Sequence, residues 1–154
     1  MPATEKISLK HHCLNVLEKQ IHDMESTMDD IYVALEEETK SSAGDKYETN
    51  RAQLQIEQDR LDKQLEHLKH QYHALYNATH DPQSAIEDGC TVELEVDGKP
   101  LSVYISIALG AIEFNGKKWQ VISEISPLAQ WLKDKKTGDS FSANGKKYSV
   151  KSVI

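Results

Sequence analysis

Cysteine is scarce in this chain: Cys13 and Cys90 are the only two among 154 residues. Two thiols are too few for a disulfide framework, and a reducing, cytoplasmic compartment is the default expectation. No apolar run approaches the ~20 residues of a membrane span, and the first ten residues lack the apolar stretch of a secretory signal. No membrane association is therefore expected. Basic residues number 18 against 25 acidic ones, for a formal net charge of -7. Such a balance argues against an open basic groove for nucleic-acid backbones, which needs clustered Lys and Arg. A Gly-rich phosphate loop, a Gly-x-Ser-x-Gly elbow and a paired-Cys zinc motif are also missing.

What is present divides near Asp81-Pro82. Residues 1–80 hold 9 basic and 15 acidic residues and all seven His, whereas residues 81–154 hold 9 and 10, with six of the seven Gly. A proline there closes one pattern just before another begins. Two domains are expected, 1–80 and 81–154. In the first, Leu14, Leu17, Ile21, Met24, Met28, Ile31 and Leu35 alternate steps of three and four, with Ile7 a heptad upstream on the same stripe. A second series, Leu54, Gln58, Leu61, Leu65, Leu68, Tyr72 and Leu75, does the same. Each sustains about three heptads, enough for two long helices with seam-like faces. Only Thr39 to Asp45 separates them, with two capping serines and Gly44, so the helices are antiparallel neighbours. At ~1.5 Å per residue, about 33 residues make a rod roughly 50 Å long. Such a hairpin buries little surface for its length and suits reach more than a compact core.

The second segment switches to period two. Val92, Leu94 and Val96 share one face of a strand; Val103, Ile105 and Ile107 share another, and Ile112, Phe114, Trp119, Val121 and Ile122 follow. Asp97-Gly98, Asn115-Gly116 and Asn144-Gly145 are two-residue hairpin signals, because these pairs tolerate positive φ. Ser126 to Lys135 alone reads as a helix, and Phe141, Tyr148, Val150 and Val153 complete a last hairpin. The expectation is α+β: a helical hairpin followed by a small antiparallel sheet with one helix packed across it.

The closed end of the hairpin carries the most chemistry. Glu36, Glu37 and Glu38 crowd the end of the first helix, where the macrodipole disfavours negative charge by ~0.3–1 kcal/mol per group. Asp45 and Glu48, three residues apart, share one face of the second helix. Acidic oxygens gathered there suit a hard cation such as Mg²⁺. Capping is the other reading, since Asp45 with Glu48, and Ser42 with Asp45, have capping-box spacing. His67, His70 and His73 fall off the seam on the outward face, near His11 and His12, and read as solvated side chains more than as a zinc site. A cysteine nucleophile needs an assembled base and pocket, and the sequence offers neither for Cys13 or Cys90.

With these features in place, the chain resembles the Gre family of bacterial transcript-cleavage factors over nearly its whole length. That family joins an N-terminal antiparallel coiled-coil hairpin to an FKBP-like domain, with Gly-Asp-x-x-Glu at the hairpin tip. Gly44-Asp45-Lys46-Tyr47-Glu48 supplies the Gly, Asp and Glu in register. Ile125-Ser126-Pro127-Leu128-Ala129, then Leu132, Lys135 and Gly138-Asp139, resembles the family's second motif. The resemblance implies an accessory factor that is not itself an enzyme: the hairpin enters the secondary channel of RNA polymerase, as a monomer. There, by the same resemblance, Asp45 and Glu48 would help hold the second Mg²⁺, shared with the polymerase active site and not bound stably by the factor. They would orient water for attack on backtracked RNA, so nascent RNA would be met only indirectly. The loop at Ser126 and Pro127 is the implied contact with the channel rim.

The match has departures. Thr49-Asn50 follows Glu48, displacing the family's Asn by one; Lys46 stands where an apolar residue is usual, and Tyr47 where a polar or basic one is. Arg51, Arg60, Lys63 and Lys69 form only a thin basic set on the second helix. A regulatory or inhibitory channel factor, and a scaffold that joins a partner helix through its seam, are the rival readings. An independent enzyme, prolyl isomerase included, lacks a recognisable pocket.

Overall fold

The computed structural model describes the backbone of residues 2–40, 44–79 and 81–154, and side chains over 4–37, 48–79 and 81–154. Two long helices come first, α1 (Pro2–Lys40) and α2 (Gly44–Tyr76). Six strands and one short helix follow: β1 (Thr91–Val96), β2 (Lys99–Ile105), β3 (Gly110–Phe114), β4 (Lys117–Ile122), α3 (Pro127–Leu132), β5 (Ser140–Ala143) and β6 (Lys146–Val153). The α+β architecture and the helical hairpin are those expected. Packing, however, groups the chain as 15–73 and as 1–14 with 74–154. The start of α1 and the end of α2 therefore belong to the same compact unit as the sheet, and the division does not coincide with the sequence boundary at Asp81. Among the described residues no helix is long and apolar enough to cross a membrane.

Within unit 15–73 the heptad stripes meet. Met28, Ile31, Leu35 and Leu61 form a buried cluster, with Met24, Leu54 and Leu65 packed against it. Farther along, Tyr72 Oη donates to Glu18 Oε1 at 2.8 Å, in the same antiparallel register. The seam is narrow because two helices bury only the a and d faces of each other.

The other unit is built on a six-stranded sheet of order β3-β4-β2-β1-β6-β5. The three hairpin turns form as the dipeptides direct: Asp97-Gly98, Asn115-Gly116 and Asn144-Gly145 all have positive φ at both positions. That is the type I′ signature, whose twist matches the flanking strands. The sheet departs from the expected antiparallel arrangement at one place, because β2 and β4 pair parallel, Ser102 opposite Trp119 and Tyr104 opposite Val121. After β2 the chain steps out to lay β3 at the edge, and β4 returns into the slot left between them. Strand β3 and its loops thus serve as the crossover that parallel pairing needs. Period-two alternation states which face a residue takes, not which strand lies beside it, so this order is not written in the pattern. Ile107 lies past the end of β2 and is buried there.

Both sheet faces are covered. Val92, Leu94, Val103, Ile105 and Val150 pack with Ala129 and Leu132 of α3. Tyr104, Trp119 and Val121 point the other way and are buried as well. The beginning of α1 lies on that second face: the His12 and Phe114 rings are 5.0 Å apart, and the Cys13 thiol lies near Tyr104. Glu93, on the same face as Tyr104 and Trp119, accepts from Ser102 Oγ at 2.7 Å and pairs with Lys117. The Lys117 ammonium in turn sits 4.6 Å from the Trp119 ring centre.

Two lysines of α1 secure the chain that leaves α2. Lys6 Nζ donates to the Asp81 carbonyl at 2.7 Å and to Gln83 Oε1 at 2.9 Å. Lys10 Nζ donates to the carbonyls of Tyr76 and Ala78, at 3.0 and 2.6 Å. Tyr76 ends α2, so Lys10 satisfies an orphan carbonyl at the negative end of that helix. Gly89 completes the fit: its φ is +90°, and a Cβ there would come within 3.2 Å of Thr79 and Gln83.

Burial desolvates the Lys6 ammonium and lowers its pKa, opposed by the nearby Cys90 thiol and Asp81. Between that lowered value and the ordinary lysine range the unfolded chain binds more protons than the folded one. Lys6 therefore contributes a stability that rises with pH across that window. Urea unfolding of wild type and Lys6→Met at pH 7 and near pH 10 checks this: the difference between the two should widen in favour of wild type at the higher pH, and a constant difference would contradict it.

Candidate functional site

The end of the hairpin is where the acidic residues meet. The Leu35 seam position fixes the last fully packed turn of α1, and its carbonyl accepts from Arg51 Nη1 of α2 at 3.4 Å. Beyond it, Glu36 and Glu37 are exposed. On the returning helix, Gly44 is the first residue of α2, so Asp45 and Glu48 lie in its opening turns. Helical spacing of three keeps the two acids on one face, and the positive end of the macrodipole favours both. Glu48 is exposed. The side chains of Glu38, Asp45, Lys46 and Tyr47, and Ser41, Ser42 and Ala43 entirely, lie outside the described residues. The capping box proposed for Ser42 with Asp45 falls there too.

The two ends of α1 and α2 at this site are electrostatically unlike. Glu36 and Glu37 stand against the partial negative charge of a helix C-terminus, while Asp45 and Glu48 stand with the partial positive charge of an N-terminus. The exposed carboxylates of Glu36, Glu37 and Glu48 offer hard oxygen ligands. Two carboxylates on one helix face cover only part of the six-oxygen shell that Mg²⁺ demands. Such a pair would need the ion's remaining ligands from elsewhere. Among the described residues no three His, Cys, Asp or Glu side chains converge as metal ligands would.

The second candidate lies in the sheet unit, between β4 and α3. Ser126 caps α3: its φ and ψ are extended, its Oγ accepts from the Ala129 N–H at 3.3 Å, and Pro127 follows in the first turn. The helix ends sooner than Ser126 to Lys135 suggested, at Leu132, because Lys133 turns to an extended ψ of 135° and Asp134 follows with a positive φ of 66°. Gln130 Nε2 donates back to the Glu124 carbonyl at 2.8 Å and closes the loop. The cap uses one lone pair of the Ser126 hydroxyl and leaves its O–H able to donate; beside it Pro127 is exposed, and its neighbour Ile125 is 81% exposed. Ile125 opens the second motif read in the sequence, but not as a contact residue. Its signal is there in hindsight: a β-branched apolar residue between Glu124 and a helix-capping serine has no seam or strand face to fill.

The remaining candidates separate from both places. His67, His70 and His73 are exposed along α2. Cys13 and Cys90 are buried as free thiols. Desolvation pushes the Cys13 thiol up to about 12 and raises that of Cys90, so neither is an activated thiolate.

No protein-family model matches the chain. No curated protein matches it either. Among solved structures it is similar to GreA factor homolog 1 (Gfh1) of Thermus thermophilus, at 21% identity over 92% of this chain and 94% of that one, with a TM-score of 0.37. Gfh1 of Thermus aquaticus gives 22% identity, 90% and 92% coverage and a TM-score of 0.36. A third structure, described as the transcription factor Gfh1, gives 22%, 91% and 92%, and 0.36. At these TM-scores the likeness carries no argument about what the chain does.

The geometry at Ser126 separates a structural serine from an exposed neighbour. Ser126→Ala should cost about 1 kcal/mol of unfolding free energy, the usual value of an N-cap, whereas Ile125→Ser should stay within about 0.5 kcal/mol of wild type. Denaturant titration of both variants checks the pair.

Proposed function

We propose that this chain is a transcription factor of the Gre kind, a cytoplasmic accessory protein that binds RNA polymerase and is not itself an enzyme. The observation that carries the reading is the Gly44-Asp45-x-x-Glu48 motif at the closed end of a two-helix rod, with its acids in the opening turns of α2 and Glu48 exposed. A rod narrow enough to enter a channel, tipped with hard oxygen ligands, supplies what a hydrolytic centre in another protein lacks. Asp45 and Glu48 would contribute carboxylate oxygens to the second Mg²⁺ of the polymerase. When bound, that ion would stabilise the charge that develops on the RNA phosphodiester. The chain's own part is positional: the packed seam of Met28, Ile31, Leu35 and Leu61 holds the two helices in register up to Leu35, and the acids would be carried forward on that rod. Ile125 and Pro127 would make the second contact, on the rim of the channel, with Ser126 holding the loop in shape by capping α3.

A second reading keeps the binding mode and removes the stimulation. Arg51, the first arginine of α2, donates to the Leu35 carbonyl of α1 and is turned inward in that contact. The exposed Glu36 and Glu37 add negative charge beside the motif. An end this acidic repels RNA phosphates, which favours a factor that occupies the channel and restrains the polymerase.

Backtracked elongation complexes decide between the two. Wild type should accelerate RNA cleavage, and Asp45→Asn with Glu48→Gln should lower the rate at least a hundredfold while binding to the polymerase persists. Binding without acceleration by wild type selects the restraining factor. Absence of binding would remove both.

A further inference from the structure

The hairpin unit has a face that neither proposed contact uses. A groove of about 670 Å³ runs along one side of the rod between α1 and α2, floored by Met24, Leu61 and Leu68. Its walls are unlike in charge. Asp23 stands on the α1 side, and Lys63 and His67 on the α2 side. The heptad extends both walls: Asp30 lies seven residues after Asp23 on the same α1 face, and Arg60 seven before His67 on the same α2 face. Asp23, Asp30, Arg60, Lys63 and His67 are all exposed. The antiparallel register fixed by the Met28–Leu61 cluster and the Tyr72–Glu18 hydrogen bond sets Asp23 level with His67 and Asp30 level with Arg60. Arg60 also holds Glu57 of its own helix in an exposed ion pair, an interaction weak enough in water to be exchanged.

An α1 wall with Asp23 and Asp30 and an α2 wall with the cations Lys63 and Arg60, where His67 offers an imidazole N–H at the height of Asp23, make the face complementary to itself. We propose that this face pairs two copies of the chain side by side, rods parallel, into a four-helix bundle. A two-fold axis along the rods sets α1 of each copy over α2 of the other, bringing Asp23 and Asp30 against the second copy's His67, Lys63 and Arg60. The apolar floors of the two grooves then close on each other, as seams do in four-helix bundles. The alternative two-fold, across the rods, would set the acidic wall against its own copy and is disfavoured by like charge. Parallel pairing also puts the two acidic ends side by side. Their separation of one to two helix diameters, roughly 10–20 Å, exceeds the Debye length of about 8 Å at physiological ionic strength, so salt screens that repulsion.

This inference stands on the rod alone and goes beyond the polymerase reading. If both hold, the paired form is the idle one, since a four-helix bundle has twice the cross-section of the rod that enters the channel, and the monomer expected from the sequence is the working form. Sedimentation velocity of the full chain, from micromolar to submillimolar concentration, tests it together with two charge-reversed variants. Wild type should pass reversibly from monomer to dimer. Asp23→Lys with Asp30→Lys, and separately Arg60→Glu with Lys63→Glu, should each weaken the dimer roughly tenfold or more, the scale of losing close charge pairs at an interface. Mixed in equal amounts the two variants should restore it, because each reversed wall then meets its complement. Circular dichroism confirms that these exposed substitutions leave the helices formed. A wild type that stays monomeric throughout, a dimer that survives either reversal, or variants that fail to recover on mixing would each overturn the proposal. A monomeric wild type that instead needs Leu68 and Gln64 to bind RNA polymerase would assign the groove to the polymerase.

Discussion

Two ammonium groups hold the junction on which the sheet unit depends. Where α2 ends, its last carbonyls lose their helical partners, and the chain must run through fourteen residues before β1 begins. Lys10 takes up the carbonyls of Tyr76 and Ala78, and Lys6 takes up Asp81 and Gln83. Both lysines come from the first turns of α1, so the opening of one helix and the exit of the other are tied through four hydrogen bonds. Charged donors make stronger bonds than neutral ones, and buried acceptors left without them would carry a desolvation penalty. The stretch that looks in sequence like a flexible linker is therefore pinned, and the sheet unit includes 1–14 as part of its own core.

The hairpin is governed by a different economy. With two helices there is one seam, and everything off that seam is solvated or waits for a partner. Met28, Ile31, Leu35 and Leu61 are buried to 9% exposure or less, whereas Leu65 and Leu68, farther along the α2 stripe, are only half-buried. A rod of this kind is stiff for its mass but thin in cohesion. That suits an element whose value lies in where it puts a few side chains, and it leaves apolar surface along its flank.

Much of this was legible in the residues. The three-four alternation gave the two helices, because packing along a seam imposes that period on the apolar positions. The Asp-Gly and Asn-Gly pairs gave the three hairpin turns, because positive φ at two successive residues admits little else. Ser126-Pro127 gave the start of α3. The parallel pairing of β2 with β4 was hidden, since it is decided by where the hairpin of β3 and β4 folds back and not by any residue's own preference. The stop of α3 at Leu132 was hidden as well, because Lys133 turns extended and Asp134 takes a positive φ, which neither residue announces. At the candidate site, Asp45, Glu48, Ser126 and Pro127 were readable as motif positions. Ile125 opens that same motif, but its part in the surface was not readable, because exposure is a property of the assembled surface. Lys6 and Lys10 were invisible for the same reason: nothing in a helical lysine says that carbonyls some seventy residues away will need it.

The three tight turns also differ in how they will age. Asn followed by Gly is the dipeptide in which the backbone amide most readily attacks the side-chain amide, and asparagine is among the thermolabile residues. Asn115-Gly116 joins β3 to β4 and Asn144-Gly145 joins β5 to β6, so both labile pairs sit on the outermost hairpins of the sheet. The central hairpin carries Asp97 instead, whose Oδ1 accepts from the Lys147 N–H at 2.9 Å. Deamidation of the two asparagines, with loss of ammonia and uptake of water, would insert a carboxylate at the two rims, and in the isoaspartyl product an extra backbone methylene as well. It would leave the pairing of β2, β1 and β6 intact. The molecule would fray from its edges inward, and an old preparation would lose β3 and β5 long before it lost its core.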